Sequence, residues 1–318
     1  MKKSFIAVMA IGILAIVVFG GVSMQREAIL DQLPEYEPRN TIENHQWFSE
    51  ELITILEYSA DAMEIGISPD DRYLLFNDRQ KPNKDMHWAA RIDAKTYKYQ
   101  GKVANTVTDT VDGTPSFDGQ GNIFFTTLKT RAENSKSLYK ARFEDGVAHD
   151  PVPVAGNIHV ENRDQFPNVW ISLDPDISDD GRFLFYSEGR FNPLVGLPYP
   201  FNIRGAERVG DAFVKMDDRI LANVNSHLLD YAPTISSDGL EIFFSRIGKV
   251  NGIPDMIGIF TARRANVTQP FAAPERIMAI TGKVEAPVLS GDEMRLYYHR
   301  MDRGRFRVYR VTRRERVD

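Results

Sequence analysis

"PTISSDGLEIFFSR", Pro233 to Arg246, packs a proline, a tight polar turn and a short aromatic run into fourteen residues. The stretch recurs along the chain. Aligned on the serine before the turn, its copies are "IGISPDDRYLLFNDR" (Ile65 to Arg79), "PSFDGQGNIFFTT" (Pro115 to Thr127), "PDISDDGRFLFYSEGR" (Pro175 to Arg190) and "PVLSGDEMRLYYHR" (Pro287 to Arg300). The marker positions are Ser68, Asp118, Ser178, Ser236 and Ser290, with spacings of 50, 60, 58 and 54 residues. The second copy is one residue shorter through its turn.

Each copy reads as a hairpin. A short strand ends at the serine, and Asp and Gly make the reversal because they tolerate positive φ and bond their own backbone. The following run ("YLLF", "NIFF", "FLFY", "EIFF", "RLYY") suits a strand covered on both faces. A third strand is expected at His87–Asp93, Leu138–Phe143, Asp211–Met216, Ile257–Arg264 and Arg305–Val311, and a weaker fourth leads into the next copy. Four antiparallel strands in a unit of this length make a propeller blade. The fifth copy runs out after its third strand. A shift of 222 places Ile55 on Ile277 and Ser68 on Ser290, so the strand near Ile55 is expected beside the one near Tyr309, supplying the missing fourth strand. Such closure removes an open edge. The expected fold is all-β: a five-bladed β-propeller over residues 49–318, closed by an N-terminal strand. An open β-solenoid is the rival architecture.

The pattern P-x-[hydrophobic]-S-x-D-G, then an aromatic strand, then S-x-R, resembles the TolB-like family of WD-type β-propeller repeats. The match is best in "DYAPTISSDGLEIFFSR" and "LDPDISDDGRFLFYSEGR"; the last copy has "SGDEM" in place of S-x-D-G. The resemblance covers about 250 residues from Ser49 onward. It implies an exported bacterial protein that binds other proteins or, in some members, carbohydrate. The member that names the family has six blades and an additional α/β domain, neither of which is found in this sequence.

The start, "MKKSFIAVMAIGILAIVVFGGVSMQRE", reads as a targeting segment. Lys2 and Lys3 form a positive n-region, and Phe5 to Val22 carries no charge, a length close to a membrane span. Residues 1–24 are a cleavable signal, with Gly21–Ser23 as the cleavage site, or an uncleaved transmembrane anchor; the lack of an A-x-A motif favours the anchor. Either places the remainder in the cell envelope, on the periplasmic or extracytoplasmic side, or outside the cell after cleavage. Residues 25–48, with two prolines and scattered charge, read as a short helix and a linker.

The chain's 318 residues carry a net charge of −5, which does not suit a general nucleic-acid binder. There are no cysteines, so disulfides, thiol nucleophiles, cysteine-ligated metals and a lipid-anchoring cysteine are excluded. The six histidines are scattered without an H-x-x-x-H spacing, and no nucleophile elbow, P-loop or dinucleotide fingerprint occurs. No cofactor, resident metal or catalytic residue is assigned.

In a propeller the first strand of each blade lines the channel, and the loops opposite the S-x-D-G turns form the face where a ligand would bind. Three sets of residues are expected there. Asp61, Asp112, Asp174, Asp230 and Glu285 could hold a cation or perform acid–base work; alternatively each caps a turn or bonds a neighbouring strand. Arg79, Arg190, Arg246 and Arg300, just after the second strands, could grip carboxylate or sugar groups, or pair with acids of the next blade. The insertion Glu188–Gly210, with three prolines and four glycines, reads as a long loop, with Trp170, Tyr199 and Phe201 as candidate contacts or as covers of a blade edge.

Two functions follow. One is a binding scaffold for a protein or a cell-envelope glycan. The other is a glycoside hydrolase using channel carboxylates, whose separation would set retention or inversion. Carboxylates tied up by internal partners favour the first; two facing an open pocket favour the second.

Overall fold

Alternate side chains of a strand point to opposite sides, so an unbroken apolar run can fill two layers at once. The computed structural model shows this in every second strand. Leu74 and Phe76 pack against Tyr297 and Val308 on one side, whereas Leu75, between them, packs against Phe117, Ile123 and Phe125 on the other. Phe243 faces Ile259, Leu296 and Tyr298, while its neighbours Ile242 and Phe244 face Phe183, Phe185 and Ile203. The core is thus a set of apolar layers between sheets. The structure describes residues 33–38, 41–78, 84–106, 112–127, 136–161, 169–192 and 197–314. The targeting segment expected at 1–24, and Arg79, lie outside them, and no described helix is long and apolar enough to cross a membrane.

Three N-terminal strands, β1 (Ile42–Asn44), β2 (Trp47–Leu52) and β3 (Thr54–Leu56), precede the blades. Blade 1 comprises β4 (Met63–Ile67), β5 (Tyr73–Asn77), β6 (Met86–Arg91) and β7 (Thr96–Lys102). Blade 2 comprises β8 (Asp112–Phe117), β9 (Asn122–Thr127), β10 (Leu138–Glu144) and β11 (Val147–Pro153). Blade 3 comprises β12 (Val169–Ile177), β13 (Phe183–Asn192), β14 (Leu197–Val209) and β15 (Ala212–Lys215). Blade 4 comprises β16 (Leu229–Ile235), β17 (Glu241–Val250), β18 (Ile253–Arg263) and β19 (Glu275–Ile277). Blade 5 comprises β20 (Val284–Leu289), β21 (Arg295–Asp302), β22 (Arg305–Arg313) and β2. The first strands neighbour one another in order, and β20 returns to β4. The molecule is a closed five-bladed β-propeller.

An N-terminal strand does complete blade 5, but at a different register from the expected one. Leu52 of β2 is the partner of Tyr309, whereas Ile55 lies in β3 and pairs in parallel with Tyr97 of blade 1. The difference arises because a chain leaving an outer strand runs briefly alongside the next blade's outer strand. Ala104 does so with Val147, and Gly156 with Phe213. Such crossing segments are as short and apolar as true fourth strands. Within the stretch expected as a linker, β1 pairs in parallel with β19 and Leu33 is buried. Residues 42–56 therefore strap the outer edges of blades 4, 5 and 1, whereas Glu35 bridges Lys249 in β17 of blade 4.

Blade 3 holds a second difference. The described residues of Glu188–Gly210 are mostly strand and not loop: β13 and β14 form a long antiparallel arm, with Glu188 opposite Asn202 and Phe191 opposite Pro198. Gly189 makes room, since a Cβ there would come 2.2 Å from Phe201 and from the Pro200 carbonyl oxygen. The segment Asp211–Met216 consequently carries the fourth strand, β15, and not the third.

Candidate functional site

The channel is built from one irregularity repeated five times. Each first strand slips its pairing register at the same place, between Met63 and Gly66, Gly113 and Ser116, Leu173 and Asp176, Tyr231 and Thr234, and Glu285 and Val288. Each slip contains a non-glycine residue with positive φ: Glu64 (47°), Thr114 (52°), Asp174 (51°), Ala232 (48°) and Ala286 (54°). A bulge of this kind costs strain and persists only when its surroundings hold it. Here the amide of each is held by the side chain of the fifth residue of the second strand of the preceding blade. Thr114 N donates to Asn77 Oδ1 (2.9 Å), Asp174 N to Thr126 Oγ1 (3.1 Å), Ala232 N to Ser187 Oγ (2.9 Å), Ala286 N to Ser245 Oγ (2.8 Å) and Glu64 N to His299 Nδ1 (3.0 Å). Five blades are stitched by five such bonds.

After the bulge come Ile65, Pro115, Pro175, Pro233 and Pro287, which close around the axis. With Glu64, Thr114 and Asp174 they line a cavity of about 30 Å³. That holds a water or an ion and not a sugar ring, since small-molecule sites are typically ten times larger. At the turn end, a second cavity of about 50 Å³ is lined by Asp176, Asp179 and Glu293.

The channel is acidic. Glu64 and Lys84 form an ion pair, both buried. Burial pushes the Glu64 carboxyl up, against the pull of Lys84. Asp174 accepts from Ser187 Oγ at 3.0 Å and is pushed up to about 7, first by burial and then by the Glu64 charge. Glu285 Oε2 accepts from Tyr231 O–H at 2.6 Å, and its Oε1 lies 3.3 Å from His299 Nε2. Because an amide can only donate, His299 Nδ1 carries the lone pair and its ring proton sits on Nε2, facing Glu285. Asp176 joins three blades: it accepts from Ser116 Oγ at 2.9 Å and Ile235 N at 2.8 Å, and burial lifts it to about 7.

The other candidates lie elsewhere. Asp61 accepts from the Phe306 amide at 2.7 Å and caps β22. Asp112 is buried at the start of β8, its amide donating to the Lys84 carbonyl at 3.1 Å and its own carbonyl accepting from Asn77 Nδ2 at 2.7 Å. Asp230, fully buried, holds Arg246 at 2.6 Å and accepts from Ser226 N and Oγ, both at 2.7 Å. Arg300 pairs with Glu50 and stacks on Tyr309. These two arginines pair within their own sheets and not with the next blade, because the facing strand is nearer than the next sheet. Arg190 is opposite Trp170 in the β12–β13 register, both half-buried. Tyr199 lies within β14. Phe201 is a core residue, 1% exposed beside Ile171 and Leu173, so it is not a surface contact.

The turn serines are structural. Ser68, Ser178, Ser236 and Ser290 each donate to the aspartate two residues on and accept the amide that opens the second strand (Tyr73, Phe183, Glu241 and Arg295). In the shortened second copy, Asp118 takes both parts, accepting from Gln120 N and Asn122 N. Sequence reasoning missed Glu64, Lys84, Asp176 and His299 as channel residues. The signal was a fixed offset: bulge residues lie four before the turn marker, and their acceptors eight or nine after it.

No protein-family model and no curated protein matches the sequence. Among solved structures, an endo-arabinase from Bacteroides thetaiotaomicron is 16% identical with a TM-score of 0.53, covering 84% of this chain and 99% of that one. The native arabinanase of Bacillus subtilis is 11% identical with a TM-score of 0.48, covering 84% and 96%. TolB from Acinetobacter baumannii is 13% identical with a TM-score of 0.43, covering 80% of this chain; this chain spans 56% of that TolB. At these identities the likeness is one of fold. The five sheets make this chain a five-bladed β-propeller, whose repeat motif resembles that of TolB-like proteins. That fold is also the fold of a solved glycan-cleaving enzyme.

Proposed function

We propose that this protein is a binding scaffold of the cell envelope, held there by residues 1–24 as an anchor or delivered by them as a signal, with 25–48 as the connection. Its partner is a protein, with an envelope glycan as the second choice. The observation that carries this reading is the internal engagement of the candidate acids, together with a channel cavity of only about 30 Å³ at the bulges. Binding falls instead to the arms of blades 3 and 4. The strands β13, β14, β17 and β18 run to between 10 and 13 residues, against 5 and 6 for β5 and β6. Ile253 at the β17–β18 tip is 69% exposed. Cross-linked membranes should yield a partner with the wild-type protein that is lost with Ile253→Asp or Trp170→Ala while the fold persists. Equal recovery with these variants would remove the arms as the docking site.

A glycoside hydrolase is the second reading, favoured by one observation: Asp174, lifted to about 7, lies in the field of Glu64 and Glu285, a setting in which a carboxyl can act as an acid. Release of reducing ends from arabinan or galactan, abolished by Asp174→Asn, would establish it and displace the scaffold.

A further inference from the structure

In blades 1 and 2 the fourth strand follows the third back to its first residue. The last bond in blade 1 is from Val103 N to the carbonyl of Met86, which opens β6; in blade 2 it is from Val154 N to the carbonyl of Leu138, which opens β10. Blade 5 takes its fourth strand from the N-terminal strap, and the strap leaves early. Leu52 still faces Tyr309, and Ile53 N donates to Val308 O at 2.9 Å, but Thr54 is already beside Thr96 of blade 1. Arg305, Phe306 and Arg307, which open β22, are left beyond the end of β2. The chain returns to them at Asp61 and Ala62. Asp61 Oδ1 accepts from Phe306 N at 2.7 Å, and Ala62 N donates to Phe306 O at 3.0 Å.

Between the departing and the returning chain lies a cavity of about 230 Å³. It is close to the lower bound of small-molecule sites, roughly 300 Å³. It opens on the face away from the serine turns, because the β21–β22 turn lies at the far end of β21 from Ser290.

The lining is apolar and cationic. Ile53, Ala62, Phe306 and Val308 are buried in its wall. The Tyr58 ring beside them is fixed edge-on to Phe76 at 4.8 Å, and its hydroxyl donates to the Asp61 carbonyl at 2.8 Å. Among the described residues the lining holds two arginines, Arg305 and Arg307, and no acid. Arg307 has a loose partner in Asp302, at 3.7 Å. Arg305 is exposed and makes no ion pair among the described residues; its guanidinium donates to the carbonyl of Ser59, another lining residue. A guanidinium has five donors in a planar fork, so one neutral carbonyl leaves most of them for an anion. This is the reverse of the channel, where carboxylates crowd together.

We propose that this cavity binds a small organic acid, its carboxylate held by Arg305 and its compact apolar body lying against Tyr58 and Val308. The ligand touches β22 on one side and Ile53–Ile55 of the strap on the other, so it braces the ring where the last blade joins the first. This site is separate from the partner surface on blades 3 and 4.

The probe is phenylacetate, with phenylacetamide and phenethylammonium as its neutral and cationic counterparts. In ligand-detected NMR titrations of the full-length protein, phenylacetate should bind with a millimolar dissociation constant, the amide at least about tenfold more weakly and the cation not at all. Saturating phenylacetate should raise the unfolding temperature. Arg305→Gln should bring phenylacetate down to the affinity of the amide. Ala60→Trp, which fills the cavity from an exposed position, should block it. Arg303→Gln, on the same turn but outside the lining, should bind as the wild type does. Denaturant midpoints confirm that these exposed-site variants are folded. No binding of phenylacetate to the wild type overturns the proposal, as does an amide that binds equally well. Unchanged affinity in Arg305→Gln or in Ala60→Trp overturns it too, because the acid would then sit elsewhere.

Discussion

His299 Nδ1 accepts the backbone amide of Glu64 at 3.0 Å across the seam where the last blade meets the first. The other four seams use an amide or hydroxyl side chain for the same bond. This seam adds a carboxyl neighbour, since the same imidazole turns its Nε2 toward Glu285, much as Ser187 at the seam of blades 3 and 4 turns its hydroxyl toward Asp174.

Replacing His299 by leucine leaves the Glu64 amide buried without an acceptor. The expected loss is about 1–3 kcal/mol in urea unfolding. His299→Asn should recover most of it, because Asn77 already fills the equivalent place in blade 1. If both variants lose the same stability, the bond is not what matters at this seam.

Asp174 and Asp176 are lifted by burial to about 7, whereas an aspartate in an unfolded chain titrates near about 3.9. Between those values the folded chain keeps protons that the unfolded chain has released. Stability therefore falls as pH rises from about 4 to about 7 and levels off above. Asp174→Asn, which suits a positive φ, should make that fall shallower. Denaturant midpoints at about pH 5 and about pH 8 test the slope, and an unchanged slope in the variant would contradict the assignment.

Asp230 is wholly buried and its charge is met by Arg246. Arg246→Ala should cost about 3–5 kcal/mol by stranding that carboxylate. Adding Asp230→Asn should restore part of the loss, measured as a coupling in a double-mutant cycle. Purely additive losses would show that the pair is not coupled.

Trp47 of β2 is 2% exposed, packs edge-on against Phe243 of blade 4 at 5.7 Å and lies under the Arg313 guanidinium of blade 5. Trp47→Ala should cost about 3–5 kcal/mol by the usual measure for a large core aromatic. Phe48→Ala, one residue along and 39% exposed, should change the denaturant midpoint little.

The fold was legible because its repeating parts are local. The serine-to-aspartate turn and the aromatic run after it are set by residues adjacent in sequence, so five copies predicted five sheets. Closure was legible in kind and three residues out in place, since Leu52 and Ile55 both sit in short apolar strands and only the partner tells them apart. Glu188–Gly210 misled because prolines and glycines were read as loop signals, whereas the arm uses Gly189 to admit Phe201. The channel was half legible. Asp174 and Glu285 were found by charge alone, but Glu64 and His299 meet only across the seam, 235 positions apart. Their offsets from the turn marker, four before and nine after, match those of the other copies, but they pair only once the ring is taken as closed.

The strap also sets an order of events. Glu51, among the first propeller residues to leave the ribosome, waits for Arg310, 259 positions later, before its strand has a partner. Until then β2 has no strand to pair with, and the first strand of blade 1, β4, lacks its neighbour from blade 5. A nascent or C-terminally clipped chain is an open arc with sticky ends, and quality control by chaperones and proteases has its natural target there.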